Sequence, residues 1–180
     1  MQPFVSDIKK IRDRAREHIN DGAITKGFKG DAAQIVKVLN EALATELVCV
    51  LRYKRHYYMA QGIHSDSVKA EFLQHAGEEQ VHADQIATRI VQLNGEPNLN
   101  PEGLLTRSHS EYQEGSDLVS MIKEDLVAER IAIQTYTEII AWLGDQDPTT
   151  HRLMEEILAK EEEHAEDMSS LLQQHAAGQK

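Results

Sequence analysis

Apolar residues recur at steps of three and four along most of the chain, the spacing of one face of an α-helix. Over residues 31–62 that face carries Ile35, Leu39, Ala42, Val50, Tyr53 and Tyr57, with Asp31 placed as an N-cap and no Gly or Pro before Gly62. A second helix is predicted over 65–94 from Phe72, His75, Ile86 and Leu93, closed by Gly95 and Pro97. A third, over 116–143, has Leu118, Ile122, Ile133, Tyr136 and Ile140 and stops at Gly144. The fourth starts at Pro148, a good first-turn residue, and reaches Ala176 with Met154, Ile157, Met168 and Leu171 on one face. Ahead of these, Phe4, Ile8, Ile11, Ala15 and Ile19 predict a shorter amphipathic helix over 4–20, followed by a loop punctuated by Gly22, Gly27 and Gly30.

The connections constrain how the four long helices pack. A few residues join the first to the second and the third to the fourth, so each pair should form an antiparallel hairpin. Residues 95–115, rich in Gly, Pro and Asn, join the two pairs. A helix of this size is roughly 40 Å long, and about 20 extended residues can span that distance. The expected fold is therefore all-α: a four-helix bundle over 31–176 with one long crossover, plus an N-terminal helix and linker over 1–30. Two separate hairpin modules are the competing layout.

Each apolar face is interrupted by charge at one level. Glu46 breaks the first, Glu79 and His82 the second, Asp125 and Glu129 the third, Glu161 and His164 the fourth. The two halves also echo one another: ATELVCVLRY (44–53) aligns with VAERIAIQTY (127–136), and EEQVHADQI (78–86) with KEEEHAEDM (160–168). Each half reads Glu, Tyr seven residues on, then Glu-x-x-His, with 33 and 32 residues separating its two glutamates. One Glu-x-x-His arises easily by chance in a charged helix, and the acidic run Glu161–Glu163 would ordinarily be a solvated face. Two copies, each paired with an upstream Glu on an apolar face, are a specific signal.

A buried carboxylate costs several kcal/mol unless paired, and four that converge also repel one another. Two divalent cations would balance four carboxylates, with two neutral imidazoles completing the shell. Glu-x-x-His places both ligands on one side of a helix. A Glu from each of two helices plus Glu-x-x-His from each of the other two is the ligand set of di-iron and di-manganese carboxylate bundles. The donors, oxygen-rich with two nitrogens and no thiolate, suit iron or manganese, with zinc a further substitute. Glu46 and His82 are expected on one ion, Glu129 and His164 on the other, with Glu79 and Glu161 bridging. Asp125, one turn before Glu129, is expected to hydrogen-bond a ligating imidazole. Tyr53 is expected to hydrogen-bond a ligand, and Tyr136 is the weaker candidate for the same role. His56, His64, His75, His109, His151 and His175 have no matching partners and read as ordinary surface or core residues.

Charge and composition sharpen this picture. Cys49 is the only cysteine, which excludes an internal disulfide and a thiolate cluster built from this chain alone. No run approaches the roughly 18 apolar residues of a membrane helix, and MQPFVSDIKK lacks a signal-peptide core, so a cytoplasmic setting is expected. The net charge of −11 argues against general nucleic-acid affinity and suits attraction of cations. It is unevenly spread: residues 1–30 hold seven bases against four acids, or +3, which leaves −14 for the rest. Such an arm could contact DNA in a salt-dependent way. The preferred reading is an amphipathic helix packed on the bundle or a neighbouring subunit, its Lys and Arg side chains solvated.

In these motifs the chain resembles bacterioferritin. LNEALATELVCVLRYKRHYYMA (39–60), EEQVHADQIATRI (78–90), LNGEPNL (93–99) and ILAKEEEHAEDM (157–168) are similar to its helices and the start of its crossover, and the similarity covers roughly 31–172. The resemblance implies a ferritin-like bundle in which Glu46, Glu79, His82, Glu129, Glu161 and His164 form a ferroxidase centre with two iron ions per subunit. It also implies oxidation of Fe(II) by O2 or H2O2 and storage of ferric mineral in a hollow homo-oligomeric cage. Bacterioferritin holds haem through a Met beside the second-helix ligand Glu; Gln80 stands there, so no haem is expected. The 16 residues after His164 are too few for the fifth helix of larger cages, and the basic N-terminal arm resembles that of Dps-like mini-ferritins. A 12-mer is thus expected over a 24-mer. The other readings are a di-manganese catalase or peroxidase, a Dps-like DNA-protecting protein and a purely structural bundle; a self-contained rubrerythrin is disfavoured by the lack of Cys-x-x-Cys.

Overall fold

The computed structural model describes residues 6–62 and 65–177, with the side chains of 175–177 excepted. Phe4 and His64, and the side chain of His175, therefore lie outside the described residues. Four long helices form the body: α2 (Ala32–Met59), α3 (Ser65–Gln92), α5 (Leu118–Leu143) and α6 (Pro148–Ala177), preceded by the short α1 (Ile8–Arg14) and with the four-residue α4 (Leu104–Arg107) in the crossover. No strand occurs among the described residues, and no described helix is long and apolar enough to cross a membrane.

The helix ends follow local chemistry. Asp31 accepts hydrogen bonds from the backbone of Ala33 and Gln34, satisfying donors that the first turn leaves open. Asp117 and Ser120 form a reciprocal capping box at the start of α5. Asn94, in left-handed conformation at φ 60°, ends α3, and the chain then passes so close to α2 that a Cβ on Gly95 would lie 2.6 Å from the methyls of Val36. Only glycine fits that approach.

Helices α2 and α3 pack as one antiparallel hairpin, and α5 and α6 as the other. The crossover runs along α2 in the same direction as that helix. Asn40 bonds to Glu96 and Asn98, Thr45 to His109, Arg52 to Ser110 and Glu111, His56 to Gln113, and Arg55 to Glu114. This line of polar side chains carries the chain to the far end of the bundle before α5 begins, which fixes the relative direction of the two hairpins.

The core has two apolar ends. Ile35, Leu39, Leu43, Ile86, Ile90, Ile139, Leu143, Met154 and Ile157 fill one. Tyr53, Val68, Phe72, Ile122 and Met168 fill the other. In α5 the expected face is buried at Ile122, Asp125, Glu129 and Tyr136, but Ala132 and Ile139 are buried where the periodicity suggested Ile133 and Ile140, which are half-buried.

The N-terminal arm departs from the expectation of a helix over 4–20. α1 ends at Arg14, and His18 at φ 52° redirects the chain into a single 3-10 turn over Ile19–Asp21. A non-glycine residue in this left-handed region is incompatible with a continuing helix. Nor does the apolar stripe pack on the chain's own bundle: Ile8, Ile11 and Ile19 are 53%, 43% and 76% exposed. The loop that follows does dock, with Ile24 and Phe28 against the core and Lys29 paired with Asp145 at 2.8 Å.

Candidate metal centre

Between the two apolar ends lies one polar layer, and it holds all six residues singled out by the repeat. Glu46 comes from α2, Glu79 and His82 from α3, Glu129 from α5, Glu161 and His164 from α6. None is more than 5% exposed. Ligand atoms of Glu46, Glu79, His82 and Glu161 lie within 4.8 Å of one another, as do those of Glu79, Glu129, Glu161 and His164. Glu79 and Glu161 belong to both groups.

Both imidazoles turn Nδ1 inward. His82 Nδ1 lies 3.4, 3.3 and 3.0 Å from Glu46, Glu79 and Glu161. His164 Nδ1 lies 3.4, 4.0 and 3.8 Å from Glu79, Glu129 and Glu161. The layer is nevertheless short of partners: Glu46 Oε2, Glu79 Oε1, Glu129 Oε2, Glu161 Oε1 and His164 Nδ1 are buried without a hydrogen bond. Buried acceptors in native proteins are almost always satisfied. Five orphaned atoms converging from four helices fit a cation in each group.

The tyrosines complete a twofold pattern. The Tyr53 hydroxyl donates to Glu129 Oε1, and the Tyr136 hydroxyl donates to Glu46 Oε1. Each half's tyrosine thus holds the other half's glutamate, leaving that carboxylate's second oxygen free. Tyr136, the weaker candidate by sequence, does the same as Tyr53. Burial, reinforced by the facing glutamate, pushes both phenols well above their ordinary range, so both remain donors.

Without a cation the layer balances its charge with protons. Burial, then the charge of Glu79, raises Glu46 and Glu161 well above the usual carboxylate range and brings Glu129 up to about 7. Burial opposes the charged form of Glu79 too, but hydrogen bonds from Glu46, His164 and His82 outweigh it and hold that carboxyl low. Burial likewise works against charge on the imidazoles. Glu46 and Glu79 overcome it to bring His82 up to about 10, and Glu79 is the main partner that brings His164 up to about 9. Glu79 is therefore the anion of the apo layer, between two imidazolium rings.

Several neighbours differ from expectation. Asp125 is fully buried but does not reach a ligating imidazole; it accepts from Arg52 Nε at 2.9 Å and pairs with His56 Nδ1 at 2.8 Å. An Asp alone on an apolar face requires a partner, and the crossover-facing side of α2 supplies two. His56 and His75 are both fully buried. The His75 ring stacks on His164 with centroids 4.0 Å apart, and its Nδ1 is 3.2 Å from the Tyr53 hydroxyl. Position 75 is one turn from Glu79 on the same apolar face, so the sequence did contain that signal. Glu78 had none: it reads as a solvated acid, yet it lies 2.6 Å from His164 Nε2. Gln80 is half-buried and donates to Asp84 at 3.0 Å.

The chain belongs to the ferritin-like domain family, whose profile matches residues 36–177. Among solved structures it is similar to the dodecameric thioferritin described as the bacterioferritin-related protein of Bacteroides fragilis. The two share 33% identity, over 84% of this chain and 91% of that one, with a TM-score of 0.80. Mycobacterium tuberculosis bacterioferritin BfrA is 28% identical over 83% of this chain and 89% of its own, with a TM-score of 0.72. Dps from Thermosynechococcus elongatus, at 20% identity over 78% and 90% and a TM-score of 0.75, shares the fold. Comparison with curated proteins finds no match.

Proposed function

We propose that this protein is an iron-storage ferroxidase, taking Fe(II) as substrate and O2 or H2O2 as oxidant. The observation that carries the reading is the pair of overlapping four-residue groups that share Glu79 and Glu161 and keep five orphaned atoms. Glu46 and His82 would hold one iron and Glu129 and His164 the other, with Glu79 and Glu161 available to both. Two Fe(II) ions supply two electrons, enough to reduce O2 to H2O2 with uptake of two protons. The protein positions the pair and limits its contact with water, since the six residues are at most 5% exposed and lie between two apolar ends. Protons held by the apo layer leave as dications enter, and Tyr53 and Tyr136 keep Glu129 and Glu46 aimed inward.

A homo-oligomeric cage is part of the proposal, with twelve subunits favoured because the Bacteroides fragilis relative is described as dodecameric. Iron rather than manganese or zinc is favoured by family membership. A cytoplasmic setting remains the preferred one. The test is aerobic addition of Fe(II) to the purified apo-protein, followed by native mass and iron analysis. Rapid oxidation with many iron atoms retained per cage is expected, and Glu129→Ala or His82→Ala should slow the oxidation severely. Wild-type rates in both variants, or fast O2 release from peroxide by manganese-loaded protein that leaves Fe(II) untouched, would overturn the reading.

A further inference from the structure

The two imidazoles of the centre are not equivalent. His164 is gripped from outside: its Nε2 lies 2.6 Å from Glu78 Oε2, while its Nδ1 faces Glu79, Glu129 and Glu161 with no hydrogen-bond partner. His75 covers the ring face at 4.0 Å and 20° and is itself held by the Tyr53 hydroxyl. Among the described residues His82 has no such grip. The carboxylates near it, Glu46, Glu79 and Glu161, all face Nδ1, and the residue itself borders a cavity of about 320 Å3 that Glu78, Gln85, Glu156 and Lys160 also line.

We propose that Glu78 is a positioning residue for His164, and that it makes the Glu129–His164 half of the centre the tighter of two unequal cation sites. A carboxylate at Nε2 keeps the proton on that nitrogen, so the Nδ1 lone pair points at the cation, and the negative partner makes the ring a better donor. The grip comes from α3 while His164 sits on α6, so it also fixes the ring to the neighbouring helix. The stack with His75 removes the remaining freedom of ring rotation. His82, bordering a cavity and without an outer acceptor, is held from the cation side alone, by the same carboxylates that would take the ion; its half is the exchangeable one.

This rests on the two-cation reading of the site, and anaerobic titration with Co(II), followed through its ligand-field absorption, tests both without invoking turnover. Wild type should bind two Co(II) ions per chain in two resolved steps. In Glu78→Ala the tighter step should weaken by about 10- to 100-fold, as when such outer partners are removed elsewhere, with the looser step little changed. Glu78→Gln, whose amide oxygen still accepts from Nε2, should recover part of the loss. The loss should persist in a His82→Ala background and vanish in a His164→Ala background, a non-additivity that general loosening of the fold would not give. Wild type that binds no pair brings down the two-cation reading itself. Wild type that binds two, with Glu78→Ala equally tight, overturns the role of Glu78 alone, as does wild type that binds three with Glu78→Ala losing the third and leaving the tightest unweakened.

Discussion

Two buried polar clusters share this bundle, less than three turns apart along α2. In one, Glu46 meets Glu79, Glu129, Glu161 and two histidines, and five side-chain atoms have no partner. In the other, the Arg52 guanidinium donates to Asp125, Ser110, the Glu111 carbonyl and Cys49, and His56 joins Asp125 to the Gln113 carbonyl. None of these Arg52, Asp125 or His56 atoms is left without a bond. Both clusters are equally dry and both are rich in charge, so burial does not separate them. Satisfaction does. The Arg52 cluster pairs cation with anion and fastens the crossover to α2 and α5. The glutamate layer leaves buried side-chain atoms unbonded, which the proposed pair of cations would account for.

The largest effect expected from this contrast is on folding. Arg52→Ala leaves Asp125 buried without its cation and should lower apo stability by about 3–5 kcal/mol, as broken buried pairs do. Glu46→Gln and Glu161→Gln replace carboxyls that hold their own protons in the apo state, and should change apo stability by no more than about 1 kcal/mol. Denaturant unfolding of the three variants in chelator compares them directly. Equal losses would mean that the glutamate layer is as structural as the Arg52 cluster. Glu79 is the exception within its layer. Four like charges alone would suggest that its removal relieves repulsion, but it is the anion facing two imidazolium rings, so Glu79→Ala should destabilise the apo chain.

A smaller effect follows from pH. Folded His82 and His164 keep their protons up to about 10 and about 9, against an ordinary 6.5. Above 6.5 the unfolded chain has released those protons while the folded chain still binds them, so apo stability from these groups falls as pH rises toward 9. Glu129, at about 7 against 4.5, contributes the same sign between those two values. Cation binding displaces the same protons, so its stabilising effect grows over the same range. Melting curves from about pH 6 to about pH 9, with chelator and with Co(II), should therefore diverge; parallel curves would contradict the proton-for-cation exchange.

The smallest effect probes the twofold pattern. Tyr53→Phe and Tyr136→Phe each remove one hydroxyl donor to a glutamate, at a cost of about 1 kcal/mol. The two losses should match within error in apo unfolding. A clear inequality would show that His75, which contacts Tyr53, matters more to that hydroxyl than the symmetry between halves.

Much of this was legible before any coordinates. Apolar periodicity marked the four long helices to within a few residues, because burial of one face is written directly at steps of three and four. The six residues of the layer were legible because each half of the chain repeats the same interruption of that face. Where no repeat exists the sequence is less informative: Asp125 pairs with Arg52 and His56 rather than with a ligating imidazole, and Arg52, His56 and Glu78 carry no periodic sign of their roles. The arm is less informative for a different reason. Ile8, Ile11 and Ile19 are spaced for a helix, but spacing reports a face that could be buried, and the described residues leave all three exposed.

By itself, then, the sequence determined which faces are apolar, where helices stop and which ionisable residues interrupt the core, since all of these are local properties of the chain. Tertiary structure decided what those residues meet: that Tyr53 serves Glu129 and Tyr136 serves Glu46, that Asp125 answers to Arg52, and that Glu78 grips His164 from another helix. Such partnerships depend on the crossover setting the direction and register of one hairpin against the other. That register is a sum of many weak contacts across the whole bundle and is encoded at no single position.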